Sequence, residues 1–412
     1  MRDKILILGA GPGQVPIIKA AKKLGYYTIA ASIKGDYPGF DIVDEIAYIN
    51  IFDTDQIVSF AKKAGVKGVI SDQSDMAAPL VAKVAEKLGL PTWGYETALK
   101  FTDKDKMRAV YEELGLPVPK YRHVTIIDEA YAFASECDYP LIIKPVDSFA
   151  SRGVFKIYNE EDLIRFFPQS LEASRSGNLL IEELIEGDQY FCQGFVENYK
   201  LRLYAFSDRY YYDLPGVAIP YTNAFPAKIT DEFRDRISDI FAKVVNHLHP
   251  RFGHVWAEWI YDGKRDSLYI IEMAIRGGGA HVTDTLIPEA YGIDSQPFLV
   301  RAAMNDTSKS FFDEIISQSS AAFYSFLLPE GKIVRIDGVN EISEIPGVIK
   351  TEIKPIRIGD EVPPIVNKDS RYGMVVIKGS DRNALEHTLS NVKARLKIEV
   401  ETIEGIKGII WE

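Results

Sequence analysis

Residues 255–281 read VWAEWIYDGKRDSLYIIEMAIRGGGAH, and this stretch decides how the chain folds. Apolar and aromatic residues flank Asp262-Gly263-Lys264-Arg265-Asp266, a run of turn formers, so 255–261 and 268–273 are predicted strands joined as a hairpin. Glu258 and Glu272 lie equally far from Arg265, the middle of the turn. A register symmetric about that residue sets the two carboxylates opposite each other on one face. Like charges so placed destabilise a sheet unless a cation lies between them. A hard divalent ion bound through one or two carboxylates plus substrate phosphates is the magnesium pattern, which makes the pair a candidate metal site. Trp256, Ile260, Ile270 and Ile271 surround it, which argues against two glutamates on a solvated face.

Upstream of the hairpin, Thr230 caps a predicted helix on which Phe233, Ile237, Ile240, Phe241, Val244 and Leu248 keep one face apolar. Further back, the apolar strand 141–143 runs directly into Lys144-Pro145. A lysine closing a buried run needs an anionic partner or a ligand. The segment Asp147-Ser148-Phe149-Ala150-Ser151-Arg152-Gly153 follows, small enough for its backbone N–H groups to approach phosphate oxygens. A helix near 160–167 and a strand at 179–181 lead into Glu182-Glu183-Leu184-Ile185-Glu186-Gly187, and the pattern stays extended to about residue 212. Lys104 opens a helix that ends at Leu114, with Gly115 and Pro117 as stop signals.

The first hundred residues alternate short apolar strands (5–8, 27–31, 69–71) with amphipathic helices, which predicts a small doubly wound domain. Gly9, Gly11 and Gly13 form a tight turn after the first strand, but a dinucleotide fingerprint needs its third glycine where Gln14 stands. The second strand also ends in Ala30-Ala31-Ser32, without an acid for a ribose, so a nicotinamide-dependent oxidoreductase is set aside. Beyond the hairpin come strands near 322–328, 348–353 and 373–378, then a helix over 381–396.

A length of 412 residues implies several domains, and 46% hydrophobic with 26% charged residues is ordinary globular composition. The net charge of -11 excludes nonspecific nucleic-acid binding, which needs basic side chains. No stretch approaches the ~18 apolar residues of a spanning helix, so no membrane partner and a cytoplasmic location are expected. Two cysteines, Cys137 and Cys192, make no disulfide framework, and the histidines show no zinc spacing.

Taken in order, TDKDKMR before a helix and GLPVP, then IIKPVDSFASRGV, LIEELIEG, WAEW and IIEMAIRGGG resemble the ATP-grasp superfamily, in its carboxylate-amine ligase branch. The same motifs are shared with L-amino acid ligases and with carbamoyl phosphate synthetase-like and biotin carboxylase-like enzymes. The resemblance implies an α/β and α+β multidomain fold: a Rossmann-like domain over 1–100, an ATP-grasp domain over 101–308 with its lid at about 120–185, and a small β-rich domain over 309–412. It implies that Lys104 and Lys144 hold nucleotide phosphates and that Ser151, Arg152 and Gly153 form the loop over them. Glu182, with the backbone of Glu183, Leu184 and Ile185, would receive adenine. Gln189 stands where many members place a glutamate for the ribose.

Glu258 and Glu272 would bind one or two magnesium ions, with manganese as a substitute; Ala274 replaces an asparagine that many relatives use as a further ligand. Arg276 matches the arginine that steadies the acyl phosphate or substrate carboxylate, and Gly278 and His281 join it in the substrate site. Gly11–Gln14 and Asp72–Asp75 are weaker substrate candidates. The implied function is ATP-dependent coupling of a small-molecule carboxylate to an amine through an acyl phosphate, in an enzyme for which a homodimer is left open. The alternatives are a bicarbonate-using enzyme and a noncatalytic nucleotide-binding protein; Gln189 and Ala274 favour the latter, both glutamates and both lysines oppose it.

Overall fold

Ile5, Leu6, Ile7 and Leu8 are wholly buried, as expected of a strand covered on both faces. With Tyr27–Ala31, Glu45–Ala47 and Val66–Ile70 they form a parallel four-stranded sheet, packed by helices Val15–Lys23, Thr54–Ala64 and Ala77–Leu88. This is the expected doubly wound unit, although the Thr54–Ala64 helix, capped by the Asp53 carboxylate on Gln56 N–H at 3.0 Å, has no counterpart in the sequence reading. In the glycine turn, Gln14 folds back so that Gly11 N–H donates to its Oε1 (3.1 Å) while its Nε2 donates to the Asp72 carbonyl (2.8 Å). The turn is closed by its own side chain.

The computed structural model describes residues 2–146, 152–214 and 218–412. A second four-stranded sheet, antiparallel, is built from Tyr121–Val124, Leu179–Glu183, Leu141–Pro145 and Phe155–Ile157. Helices Ile127–Cys137 and Glu160–Ala173 cover it, with Phe133, Leu163 and Phe167 in its core. These elements fall in the stretch expected as the lid.

The largest sheet has eight strands, in the order Ser267–Ala274, Phe252–Asp262, Asp188–Glu197, Lys200–Tyr211, Pro220–Phe225, Ser320–Phe326, Gly373–Gly379 and Val348–Ile353. The extended stretch up to Tyr212 is thus two strands, turned by Asn198 (φ 50) and Tyr199 (φ 65) in a two-residue hairpin loop. Helix Asp231–Leu248 is capped by the Thr230 hydroxyl on Phe233 N–H (3.2 Å) and buries Ile237, Phe241, Val244 and Leu248 under this sheet.

A boundary at 309 divides the sequence but not the sheet. Ser320–Phe326 pairs antiparallel with Pro220–Phe225 (Thr222 with Tyr324), so three strands of the last hundred residues continue the sheet that carries the hairpin. Only Glu361–Val362, Gly331–Asp337, Lys397–Thr402 and Gly405–Lys407 form a separate sheet, with helix Arg382–Arg395 in the same terminal core. Among the described residues no helix is long and apolar enough to cross a membrane. Both cysteines are free thiols, and burial pushes that of Cys192 up to about 12.

Candidate active site

Near the turn the hairpin pairs Asp262 with Ser267, Ile260 with Tyr269 and Trp259 with Ile270; beyond it Glu258 pairs with Glu272 and Ala257 with Met273. Ile271 is the extra residue of a bulge. Had the register of the turn run on unbroken, Glu258 would have faced Ile271 and Glu272 would have pointed to the opposite face. The facing pair expected from symmetry about Arg265 therefore exists, but the turn is centred between Lys264 and Arg265 and the bulge restores the match.

Side-chain alternation then fixes what shares the carboxylate face. Glu258 lies opposite Phe191, and Ile260 opposite Gln189, on the neighbouring strand; one strand further, Ser207 pairs with Phe191, which brings Arg209 and Tyr211 to the same side. This face and the lid sheet enclose a cleft of about 340 Å³. Lys104, Lys144, Gln189, Glu258 and Glu272 all line it, as do Leu184 and Ile185 of the segment joining lid to sheet.

Glu182 does not line the cleft. Its carboxylate is buried between Arg108, whose Nε and Nη2 donate at 3.1 and 3.0 Å, and Lys144, whose Nζ donates at 2.5 Å. Burial alone would raise its pKa, but Arg108 and Lys144 hold it at about 2. Arg108 also donates through Nη1 to the carbonyls of Ile270 (3.1 Å) and the bulge residue Ile271 (3.4 Å). The expected adenine contact is instead a buried counter-ion that ties Lys144 to the bulge on which the Glu258–Glu272 register depends. Glu183 turns away as well, to Arg265 Nη2 at 2.5 Å. The N–H groups of Glu183 and Leu184 donate to Lys120 and Pro140, so this segment offers an adenine its carbonyls and Ile185.

Of the expected phosphate loop, Ser151 lies outside the described residues. Arg152 Nη2 meets Asp369 at 3.0 Å on an exposed surface. Gly153 (φ 71) packs so closely that an added Cβ would lie 2.6 Å from that of Ala173.

The expected substrate residues form a neighbouring cluster. Arg276 grips Asp75 with Nε and Nη2, both at 2.6 Å, and lies 4.9 Å above the Trp256 ring. Its glycine run is held by buried acceptors: Gly277 N–H donates to Asp72 Oδ1 (2.6 Å) and Gly278 N–H to Gln193 Oε1 (3.2 Å). Asp72 is held in turn by His254 (3.3 Å) and Gln296 (2.6 Å). His281 (φ 62) bridges Asp284 at 3.4 Å and Glu352 at 2.9 Å.

Sequence reasoning missed several cleft residues. Arg209 is buried and bonds Glu258 Oε1 at 2.6 Å and Tyr211 Oη at 2.9 Å. Burial would lower its pKa, but Glu258 raises it. Its sequence signal is weak, an arginine after Asp208 in a strand that also carries Lys200 and Arg202. Lys368 reaches the cleft from the C-terminal segment, where burial and then Arg209 bring its ammonium down to about 8. A lone lysine after Asn367 carries no sequence signal.

Residues 137–284 match the ATP-grasp domain family. The chain carries an ATP-grasp domain. Its match includes Lys144, Glu258, Glu272, Arg276 and His281, while residues 325–401, with Lys368, match the L-amino acid ligase C-terminal domain 2. The chain is 28% identical over 188 residues to the formate-dependent phosphoribosylglycinamide formyltransferase of Prochlorococcus marinus, covering 45% of this chain and 48% of that one. It is 25% identical over 200 residues to the carbamoyl phosphate synthase large chain of Vibrio parahaemolyticus, covering 45% and 18%. The aligned part spans about half or less of these curated relatives.

The fold is similar to that of the L-amino acid ligase from Bacillus licheniformis (TM-score 0.80, 19% identity, 97% and 99% of the two chains). It is also similar to phosphoribosylglycinamide synthetase from Anaerococcus prevotii (TM-score 0.71, 21% identity, 97% and 99%). Both likenesses extend well beyond the ATP-grasp domain, to nearly the whole chain.

Proposed function

We propose that the protein is an ADP-forming ligase that uses ATP and magnesium to activate a small-molecule carboxylate as an acyl phosphate and joins it to an amine. The observation that carries this reading is the facing Glu258–Glu272 pair, set in a cleft with Lys104, Lys144 and Arg209. The Glu272 carboxylate makes no hydrogen bond or ion pair with a described residue, whereas that of Glu258 is matched by Arg209. Among the described residues no cluster of three or more His, Cys, Asp or Glu side chains could hold an ion by itself. Two carboxylates without further protein ligands fit magnesium, which completes its shell with water and substrate phosphates. Glu258 and Glu272 would hold it, and when bound it supplies neutralisation of phosphate charge.

Phosphoryl transfer needs alignment and charge neutralisation more than covalent chemistry from the protein. Lys144, fixed by Glu182, and Lys104 supply two positive charges to the cleft. The segment 184–187 lines the cleft, and its carbonyls would accept from an adenine amino group. Arg276, oriented by Asp75 and supported on Trp256, would steady the substrate carboxylate. A carboxylate oxygen forms the new bond to the γ-phosphorus as the bond to the β,γ-bridging oxygen breaks. The amine then attacks the acyl carbon, phosphate leaves, and an amide results. The lid sheet limits the entry of water that would hydrolyse the mixed anhydride.

The test is ADP formation across a panel of carboxylates paired with amines, with bicarbonate as one of the acids. A carboxylate–amine pair that stimulates magnesium-dependent ADP release, with amide product by mass spectrometry, is expected. ATP binding without stimulation by any pair would sink the ligase reading and leave a nucleotide-binding protein.

A further inference from the structure

Lys368 opens the short turn Lys368–Ser370, which lies between the Glu361–Val362 and Gly373–Gly379 strands and is pinned by its own polar groups. Asn367 Oδ1 accepts from Asp369 N–H at 2.8 Å, and Ser370 Oγ accepts from Val366 N–H at 3.0 Å. The turn belongs to the terminal segment, yet its lysine lines the cleft beside Glu258, Glu272 and Lys144. Its ammonium makes no hydrogen bond or ion pair with a described residue.

The surroundings make that lack costly. Arg209 is committed to Glu258 and Tyr211. Arg371 donates to the Pro220 carbonyl and sits 5.9 Å from the Phe323 ring, with its Nε buried and without a partner among the described residues. Lys368, Arg209 and Arg371 repel one another, and each lowers or is lowered by a neighbour in this group. The carboxylates whose field reaches Lys368 are Glu258, already paired, and Glu272. An anion brought among desolvated like charges stabilises them. Lys368 lines the same cleft as Glu258 and Glu272 and lies within reach of their charge.

We propose that Lys368 is a catalytic residue supplied by the C-terminal segment, holding the terminal phosphoryl group of the nucleotide as it passes to the substrate carboxylate. The proposal rests on the ligase reading above. The lysine transfers no proton: it neutralises charge on the phosphoryl oxygens while the carboxylate–phosphorus bond forms and the bridging oxygen leaves with its electron pair on ADP. The terminal segment is thereby a working part of the cleft, and the continuity of the eight-stranded sheet is what holds it in register with Glu258 and Glu272.

The experiment compares magnesium-dependent binding of ADP and of the non-hydrolysable β,γ-imido analogue of ATP to the full chain and to Lys368→Met and Lys368→Arg. Loss of a charge-assisted contact made only to the terminal phosphoryl should weaken the triphosphate analogue about 10–100-fold in Lys368→Met and leave ADP within about 3-fold. Lys368→Arg should recover most of the loss. ADP binding also reports that the variant cleft is intact. Equal affinities for the analogue in wild type and Lys368→Met, or equal weakening of both nucleotides, would overturn the proposal. A wild-type chain that binds neither nucleotide would overturn the ligase reading itself, a distinguishable failure.

Discussion

Replacing Glu182 by glutamine keeps the shape of the side chain and removes its charge. Two buried cations are left facing a neutral amide: Arg108, 2% exposed at its side chain, and Lys144, 8% exposed. Breaking a buried ion pair from one side costs about 3–5 kcal/mol, because the remaining charge is uncompensated. At about 2–4 °C per kcal/mol, the apparent melting temperature of the ligand-free chain should fall on the order of 6–20 °C at neutral pH. Adding Arg108→Met removes one of the stranded cations and should return part of the loss, a non-additivity readable by the same melts.

The pH dependence carries a sign that follows from Glu182 being held at about 2 against an ordinary 4.5. Stabilisation from this carboxylate is complete above 4.5 and is lost as pH falls towards 2. The gap between wild type and Glu182→Gln should therefore narrow on acidification over that window. A variant that melts with wild type at pH 7, or a gap that stays constant down to pH 2, would refute the counter-ion assignment.

Three further outcomes are expected. Glu272→Ala and Lys144→Ala should each lower ATP turnover at least about 100-fold while the chain still melts cooperatively, as judged by coupled ADP assay and calorimetry; near-normal rates would defeat the cleft assignment. Gly187→Ala would put a Cβ 2.0 Å from the Tyr261 carbonyl oxygen, so the linker must shift, at a cost of about 1–3 kcal/mol, and nucleotide affinity by titration calorimetry should fall several-fold. His281 faces Asp284 and Glu352, with Lys350 Nζ 3.1 Å from Nε2. The hydrogen bond to Asp284 raises its pKa above 6.5 despite burial, so its stabilisation is full below 6.5 and is lost as pH rises through the higher folded value. Melting temperatures of wild type and His281→Gln should converge as the pH is raised, and parallel curves would count against this bridge.

Local spacing was enough to locate the hairpin, because its two glutamates are only 14 positions apart and joined by a turn that the residues themselves specify. It was enough, too, for the apolar strand ending in Lys144 and for the doubly wound unit, whose alternation of strand and helix is written in short periods. The order of those motifs along the chain carried the resemblance. What the residues could not announce is the bulge at Ile271, since the register depends on Arg108 holding two carbonyls from 162 and 163 positions away. Glu182 looked like a strand-end acid until Arg108, 74 positions distant, was brought against it.

Arg276 and Asp75 are 201 positions apart, and Lys368 meets the cleft only because the last strands pair with a sheet begun in the middle of the chain. A sequence fixes the partners of a hairpin through the stiffness of a few peptide units. Partners a hundred residues away are chosen by which buried faces and charges can satisfy one another, and that is decided only when the whole chain packs.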